Sequence, residues 1–151
     1  MRESDTIIIG RVKSIESRWN NEHTMIYTYI DIFTIDFLKG RSNGSAVTIK
    51  LFGGTVDSIV TFMTGAPRFS RNEETLLFLR TVPQGPLANY PTVTGWAQGK
   101  FDIHTTPGTN SKTVTRDVSG IELVGGRQNQ FLEEPISLEE LTEMIQNELN
   151  K

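Results

Sequence analysis

MIYTYIDIFTIDFL, residues 25–38, is the stretch of this sequence from which the fold follows. It is dense in β-branched and aromatic residues, which favours a β-strand over the alternative of a buried helix. In a strand its apolar side chains alternate between two faces, with Tyr27, Tyr29 and Phe33 on one and Ile26, Ile30 and Ile32 on the other. A long strand that is apolar on both faces is typical of a coiled strand packed inside a barrel at one end and against a second layer at the other.

The neighbouring segments continue the β pattern in both directions. Residues 6–17 (TIIIGRVKSIES) predict a strand with Gly10 at a bend or bulge. An Asn-Gly pair at 43–44 leads into the alternating strand AVTIKLF at 46–52, which predicts a hairpin. The run TLLFLR at 75–80 predicts a central strand because it is the most hydrophobic short segment. Shorter strands are predicted at 56–63, 93–96, 100–104 and 113–118.

The C-terminal segment has a helical pattern instead. Ser137 is placed to cap a helix, and Glu140 follows three residues later to complete a capping box. The apolar residues that recur at helical spacing are Leu138, Leu141, Ile145 and Leu149. We therefore predict a mainly all-β single domain over residues 1–151: a small β-barrel of five or more strands with added hairpins, and one helix at about 137–149 against its wall.

Composition limits the functions that are plausible. The chain has 151 residues, a formal net charge of −3 and no cysteine. The acidic balance and the scattered basic residues argue against nucleic acid as a partner. Absence of cysteine excludes disulfides, thiolate zinc sites and cysteine nucleophiles. No apolar run approaches the roughly 20 residues that a membrane helix needs, so no membrane insertion is predicted.

The N-terminus bears on localisation. The chain enters its first predicted strand almost directly after Met1 and shows no signal peptide. We expect an exported protein, periplasmic or extracellular, if a signal precedes Met1 in the gene, and a cytoplasmic protein otherwise. The oligomeric state does not follow from the sequence.

Catalytic patterns are absent from the sequence. The two histidines, His23 and His104, have no second ligand at metal-site spacing, and no nucleophile elbow occurs. Glu73 and Glu74 are adjacent on a predicted strand edge, so their carboxylates point to opposite faces and cannot share a substrate. We predict no catalytic residue, no metal site and no cofactor, and hence a protein that is not an enzyme.

Two glycine-containing segments carry candidate binding residues. TGAPRF at 64–69 presents Arg68 and Phe69, and GWAQGKF at 95–101 presents Trp96, Gln98 and Lys100. Aromatic and arginine side chains are favoured at recognition surfaces. We expect the two segments to lie together at one end or edge of the barrel.

Three interpretations of these segments are open. The first is a binding surface with an exposed Arg68, and the second is a structural lock in which Arg68 is buried and hydrogen-bonded, which we favour over the first. The third is that the aromatics close the barrel ends while Arg68 and Lys100 are surface charges.

Five stretches of the chain, in order, carry a family resemblance: SDTIIIGRVKSIESRW, IYTYIDIFTIDFLKG, GGTV, TGAPRFSRNEETLLFL and GWAQGKFDI. Over residues 4–103 the chain resembles a family of small domains of exported bacterial and archaeal proteins. Some of these domains stand alone, and others lie beside matrixin-like metalloprotease domains. The resemblance implies an exported binding or accessory module.

The first half also resembles the netrin-like domains, which include tissue inhibitors of metalloproteases. Those domains are five-stranded barrels of the oligonucleotide/oligosaccharide-binding (OB) architecture with helices packed outside, so the resemblance implies a barrel here. The inhibitor mechanism is not carried over, because it depends on an N-terminal cysteine and this chain has none.

The leading functional prediction is a non-enzymatic, exported binding or accessory module that acts on a protein partner or an associated protease. One alternative is a single-strand nucleic-acid-binding barrel, which needs a basic groove lined with stacking aromatics. Another is a hydrolase with an unrecognised site, which requires Glu74, Arg68 and His104 to meet in one pocket.

Overall fold

A computed structural model of the protein describes residues 4–40, 45–61, 66–95, 99–116 and 136–150. These residues form ten strands and one helix. The strands are β1 Thr6–Trp19, β2 Ile26–Lys39, β3 Ala46–Phe52, β4 Gly54–Val56, β5 Ile59–Thr61, β6 Glu74–Thr81, β7 Pro91–Val93, β8 Lys100–Thr105, β9 Lys112–Thr115 and β10 Ile136–Ser137, and the helix is α1 Leu138–Leu149.

Eight of these strands form one antiparallel sheet. Its order is β10-β9-β8-β6-β1-β2-β3, while β7 also pairs with β6 and β4 and β5 form a separate hairpin. Two strands pair with different parts of β6: β8 pairs with residues 74–77 and β7 with residues 79–81. The mainly β class, the single C-terminal helix and the central position of residues 75–80 are therefore confirmed.

Gly10 allows β1 and β2 to come close at a bend. The β1–β2 register shifts between Ile9 and Gly10, as the predicted bend or bulge requires. A Cβ atom built on Gly10 would lie 2.9 Å from the backbone oxygen of Phe33. Any larger residue at this position therefore forces the two strands apart.

Two apolar cores lie on opposite faces of the sheet. The interior core is formed by Ile8, Val12, Ile30, Ile32, Val47, Ile49, Leu51, Leu77, Leu79 and Val93. The helix-side core is formed by Ile7, Ile9, Leu76, Phe101, Ile103, Val114, Leu141 and Ile145. β1 and β6 contribute alternate residues to both cores, which explains why their sequences are nearly continuous apolar runs.

The helix begins at the predicted N-cap and docks as the sequence predicts. The Ser137 hydroxyl accepts a hydrogen bond of 3.0 Å from the backbone N–H of Glu140. Leu141 and Ile145 are buried, and Leu138 and Leu149 pack beside them on the helix-side core. The apolar stripe thus covers the outer face of the sheet.

The described sheet does not close into the predicted barrel. β3 and β7 lie in contact, yet no hydrogen-bonded ladder joins them within the described residues. β7 is only three residues long and begins with Pro91, which has no N–H to donate. The result is an open seam between β3 and β7, with interior-core residues Leu51 and Val93 on its two sides.

Three short predicted strands have different bounds. The strand predicted at 56–63 is only partly present, because Val56 ends β4, a turn with Asp57 at φ 53° follows, and β5 begins at Ile59. β7 ends at Val93 rather than at residue 96, and β9 ends at Thr115 rather than at residue 118. Residues 62–63, 96 and 117–118 lie outside the described residues.

Candidate functional site

Lys100 is a buried cation at the start of β8. Its side chain is 6% exposed, and its ammonium lies 3.2 Å from a carboxylate oxygen of Glu73. The same ammonium donates to the carboxylate of Asp102, two residues along the strand on the same face. It also lies 5.0 Å from the ring centroid of Phe69, a cation–π distance. One ammonium thereby ties β8 to residues 69–73.

Residues 70–73 form a tight turn that is fixed to β1. Glu73 accepts a hydrogen bond of 3.0 Å from the N–H of Ser70, and Asn72 has a φ of 66°. The backbone of Val12 bonds to both Asn72 and Glu73 at 2.9 Å. Lys100 therefore acts on a segment whose other side is held by backbone hydrogen bonds.

Glu74 points away from Glu73, as the adjacent spacing predicts. Its carboxylate, 7% exposed, accepts hydrogen bonds of 2.8 and 3.0 Å from Lys112. Arg11 lies 3.6 Å from the same carboxylate. The two neighbouring glutamates thus join different strands, with Glu74 linking β6 to β9 and β1.

Arg116 lies at the end of β9 over the ring of Phe101, with 5.1 Å between its guanidinium carbon and the ring centroid. Desolvation by burial lowers the pKa of Arg116 to about 10. The guanidinium therefore remains a cation at neutral pH and a cation–π partner for Phe101.

The predicted binding residues are placed as follows. Phe69 and Lys100 are in contact, so the two predicted segments meet. Trp96 and Gln98 lie outside the described residues. Arg68 is exposed, so the interpretation in which Arg68 is the buried cation is wrong, and Lys100 has that position. The reason is local: Pro67 is buried and Phe69 packs on the interior core, so Arg68 between them is directed outward.

Two apolar cavities lie along the open seam and share the lining residues Leu51, Phe52, Ala66 and Pro67. The first has a volume of about 180 Å³ and extends towards Val93 and β7. The second has a volume of about 250 Å³ and extends beneath the β4–β5 hairpin to Phe69. Because they share a wall, we treat them as one feature and call it the seam groove.

The described charges that line the seam groove are all positive. Arg80 lines the first cavity and Arg68 the second, and no described carboxylate lines either. Both arginines are exposed, and neither has an ion-pair partner among the described residues. At the hairpin rim, Ile59 is 49% and Val60 67% exposed. The groove thus combines an apolar lining with two guanidinium groups that have no ion-pair partner among the described residues.

A tyrosine cluster on the outer face holds the loop before β7. The Lys50 ammonium lies 4.4 Å from the ring centroid of Tyr27, 5.6 Å from that of Tyr29 and 5.7 Å from that of Tyr90. It also donates a hydrogen bond of 2.8 Å to the carbonyl of Pro86. We call this arrangement the Lys50 clamp. Sequence reasoning missed it, although β-strand alternation places Lys50 and Tyr27 on one face once β2 and β3 pair.

The residues required for a hydrolase are not brought together. Arg68 lines the seam groove, whereas Glu74 is bound to Lys112 and His104 Nε2 lies 2.8 Å from the Thr115 hydroxyl. Among the described side chains, no three histidines or carboxylates form a group that could hold a metal ion. In the same part of the chain, no helix has the length and apolarity needed to cross a bilayer.

Comparison with known proteins adds no relative. No protein-family model matches the chain, and no curated protein matches its sequence.

Proposed function

We propose that this protein is a non-enzymatic binding module that takes an apolar segment of a partner protein into the seam groove. The observation that carries the proposal is the apolar groove at the open seam, with the exposed Val60 among its lining residues. Exposed apolar residues that adjoin an apolar groove mark interaction sites more often than scattered surface residues do.

The division of the groove into two small cavities fits the side chains of a peptide. The two cavities are about 180 and 250 Å³ in volume. A cavity of about 150 Å³ holds one benzene ring. Each cavity therefore matches one large apolar side chain, as two residues of an extended partner segment would supply.

The resemblance described above supports two further parts of the proposal, namely the export of the module and the kind of partner that it binds. On that ground we propose that the module is exported and that its partner is a protein, of which an associated protease is one example. The nucleic-acid alternative has less support, because Lys50 covers the ring of Tyr27 and Arg18 covers that of Tyr29 at 3.8 Å. Those faces are not free for base stacking.

The experiment compares an exposed apolar residue that lines the groove with one that does not. A fluorescent capped pentapeptide, Gln-Leu-Phe-Leu-Gln, is titrated with the wild-type protein, with Val60→Ser and with Phe33→Ser. Val60 lines the groove, whereas Phe33, 52% exposed, lies on β2 away from it. We expect Val60→Ser to weaken binding about three- to tenfold, because apolar contact area is lost.

Phe33→Ser is expected to leave the binding curve, measured by fluorescence anisotropy of the peptide, unchanged. Equal weakening by both substitutions would contradict the proposed function, and so would failure of the wild-type protein to bind both this peptide and its acidic counterpart Glu-Leu-Phe-Leu-Glu. Circular dichroism melting of each variant checks that the fold is intact.

A further inference from the structure

We infer that the partner segment of the seam groove is acidic as well as apolar, with carboxylates flanking its apolar side chains. This inference rests on the proposed function and specifies the chemistry of the partner. The observation behind it is that one arginine lines each of the two cavities of the groove.

The local charge is opposite to that of the whole chain. The protein has a formal net charge of −3, yet the only charged residues that line the groove in the described part of the chain are Arg68 and Arg80. Two acidic groups beside the arginine-bearing segments have other partners. Glu73 is bound to Lys100, and Asp5 accepts a hydrogen bond of 2.8 Å from the N–H of Thr81.

Unpaired guanidinium groups beside an apolar floor are suited to a carboxylate. A guanidinium binds a carboxylate through two parallel N–H···O hydrogen bonds, which adds orientation to attraction. An apolar residue in each cavity and a carboxylate next to it would satisfy both parts of the groove. Lys100 is not available for this role, because it is buried and holds two carboxylates of the chain itself.

The test uses a charge series of capped pentapeptides with one apolar centre: Glu-Leu-Phe-Leu-Glu, Gln-Leu-Phe-Leu-Gln and Lys-Leu-Phe-Leu-Lys. We expect the acidic peptide to bind about five- to tenfold more tightly than the neutral one at low salt. The basic peptide should bind most weakly. The advantage of the acidic peptide should shrink as salt screens the exposed charges.

Substitution of the groove arginines tests whether they cause the preference for the acidic peptide. Arg68→Gln and Arg80→Gln should each reduce the preference for the acidic peptide about twofold or more, and the double variant should abolish it while the neutral peptide still binds. Arg71→Gln is the matched control, because Arg71 is exposed and lines neither cavity.

The outcomes separate the two claims. Equal affinity for acidic and neutral peptides overturns the inference and leaves the proposed function standing, whereas no binding of any peptide overturns both. Tighter binding of an oligothymidylate than of the acidic peptide, lost in the double arginine variant, would assign the arginines to phosphate and overturn the inference. A dimer in sedimentation that Val60→Ser dissociates would assign the groove to a second copy of this chain and overturn it as well.

Discussion

At the scale of single residues, Lys100 is the side chain on which the arrangement of the groove depends most. Its ammonium is buried between two carboxylates and beside the Phe69 ring. Phe69 in turn lines the second cavity. Although Lys100 lines neither cavity, it holds the segment that forms one side of the groove.

Replacing Lys100 with methionine tests this role. The aliphatic stem is kept, but Glu73 and Asp102 lose their common cation and repel one another. Because both carboxylates are partly exposed, at 22% and 28%, water reduces the penalty. We expect a loss of about 2–3 kcal/mol in the free energy of unfolding, measured by urea denaturation.

Arg68→Met is the control for that measurement, because Arg68 is exposed and makes no described ion pair. Its stability should stay within about 0.5 kcal/mol of the wild type. If Lys100→Met is as stable as Arg68→Met, Lys100 does not hold the turn.

Arg68 was expected to be the buried cation, but Lys100 is the buried one. The sequence could not predict which of the two cations is buried. Both residues lie near glycine and next to an aromatic residue, so their patterns are alike. Arg68 lies in an irregular segment, where no periodicity assigns a side chain to a face. Its exposure follows from the inward positions of Pro67 and Phe69, which only the packed core determines.

At the scale of elements, regular periodicity was the reliable guide. The period-3.6 repeat of α1 is buried as predicted, and the period-2 repeat of β2 places Ile30 and Ile32 in the interior core. On the other face of β2, Phe33 is 52% exposed, which the repeat did not predict. β7, with three residues, offers too little pattern for its bounds to be predicted. The division of β6 between β7 and β8 depends on contacts distant in sequence, which local patterns do not encode.

The Lys50 clamp fixes the position of another element, the loop before β7. Lys50→Met removes the hydrogen bond to Pro86 and the attraction of the ammonium for the tyrosine rings. We expect a loss of about 1–2 kcal/mol and faster amide hydrogen exchange in residues 82–90.

Lys13→Met serves as the comparison, because Lys13 is an exposed residue of β1. It should change neither stability nor exchange. Unchanged protection of residues 82–90 in Lys50→Met would show that the loop is held by other contacts.

At the scale of the whole molecule, the open seam links fold and proposed function. A barrel of five or more strands was expected, and the strands β3, β2, β1, β6 and β7 do contribute to one interior core. β3 and β7 are not joined by a ladder, and the groove lies between them. The sequence could predict the strands and the core residues, but not the seam, because the seam depends on how far the sheet curls.

The net charge is a property of the whole molecule, and its sign is opposite to that of the described groove lining. The chain is acidic, whereas the described lining of the groove carries two arginines and no carboxylate. Composition therefore argues against a general affinity for nucleic acid, and the local arrangement favours an acidic peptide.

The central claim is that the seam groove is the binding surface, and a chemical-shift map tests it most directly. The ¹⁵N-labelled protein is titrated with the peptide Glu-Leu-Phe-Leu-Glu, and amide shifts are followed by NMR. The account predicts that the largest shifts occur at the groove lining, at Leu51, Ala66, Thr92 and Val93. Shifts concentrated on α1 or on β8 and β9, with these four amides unmoved, would contradict it.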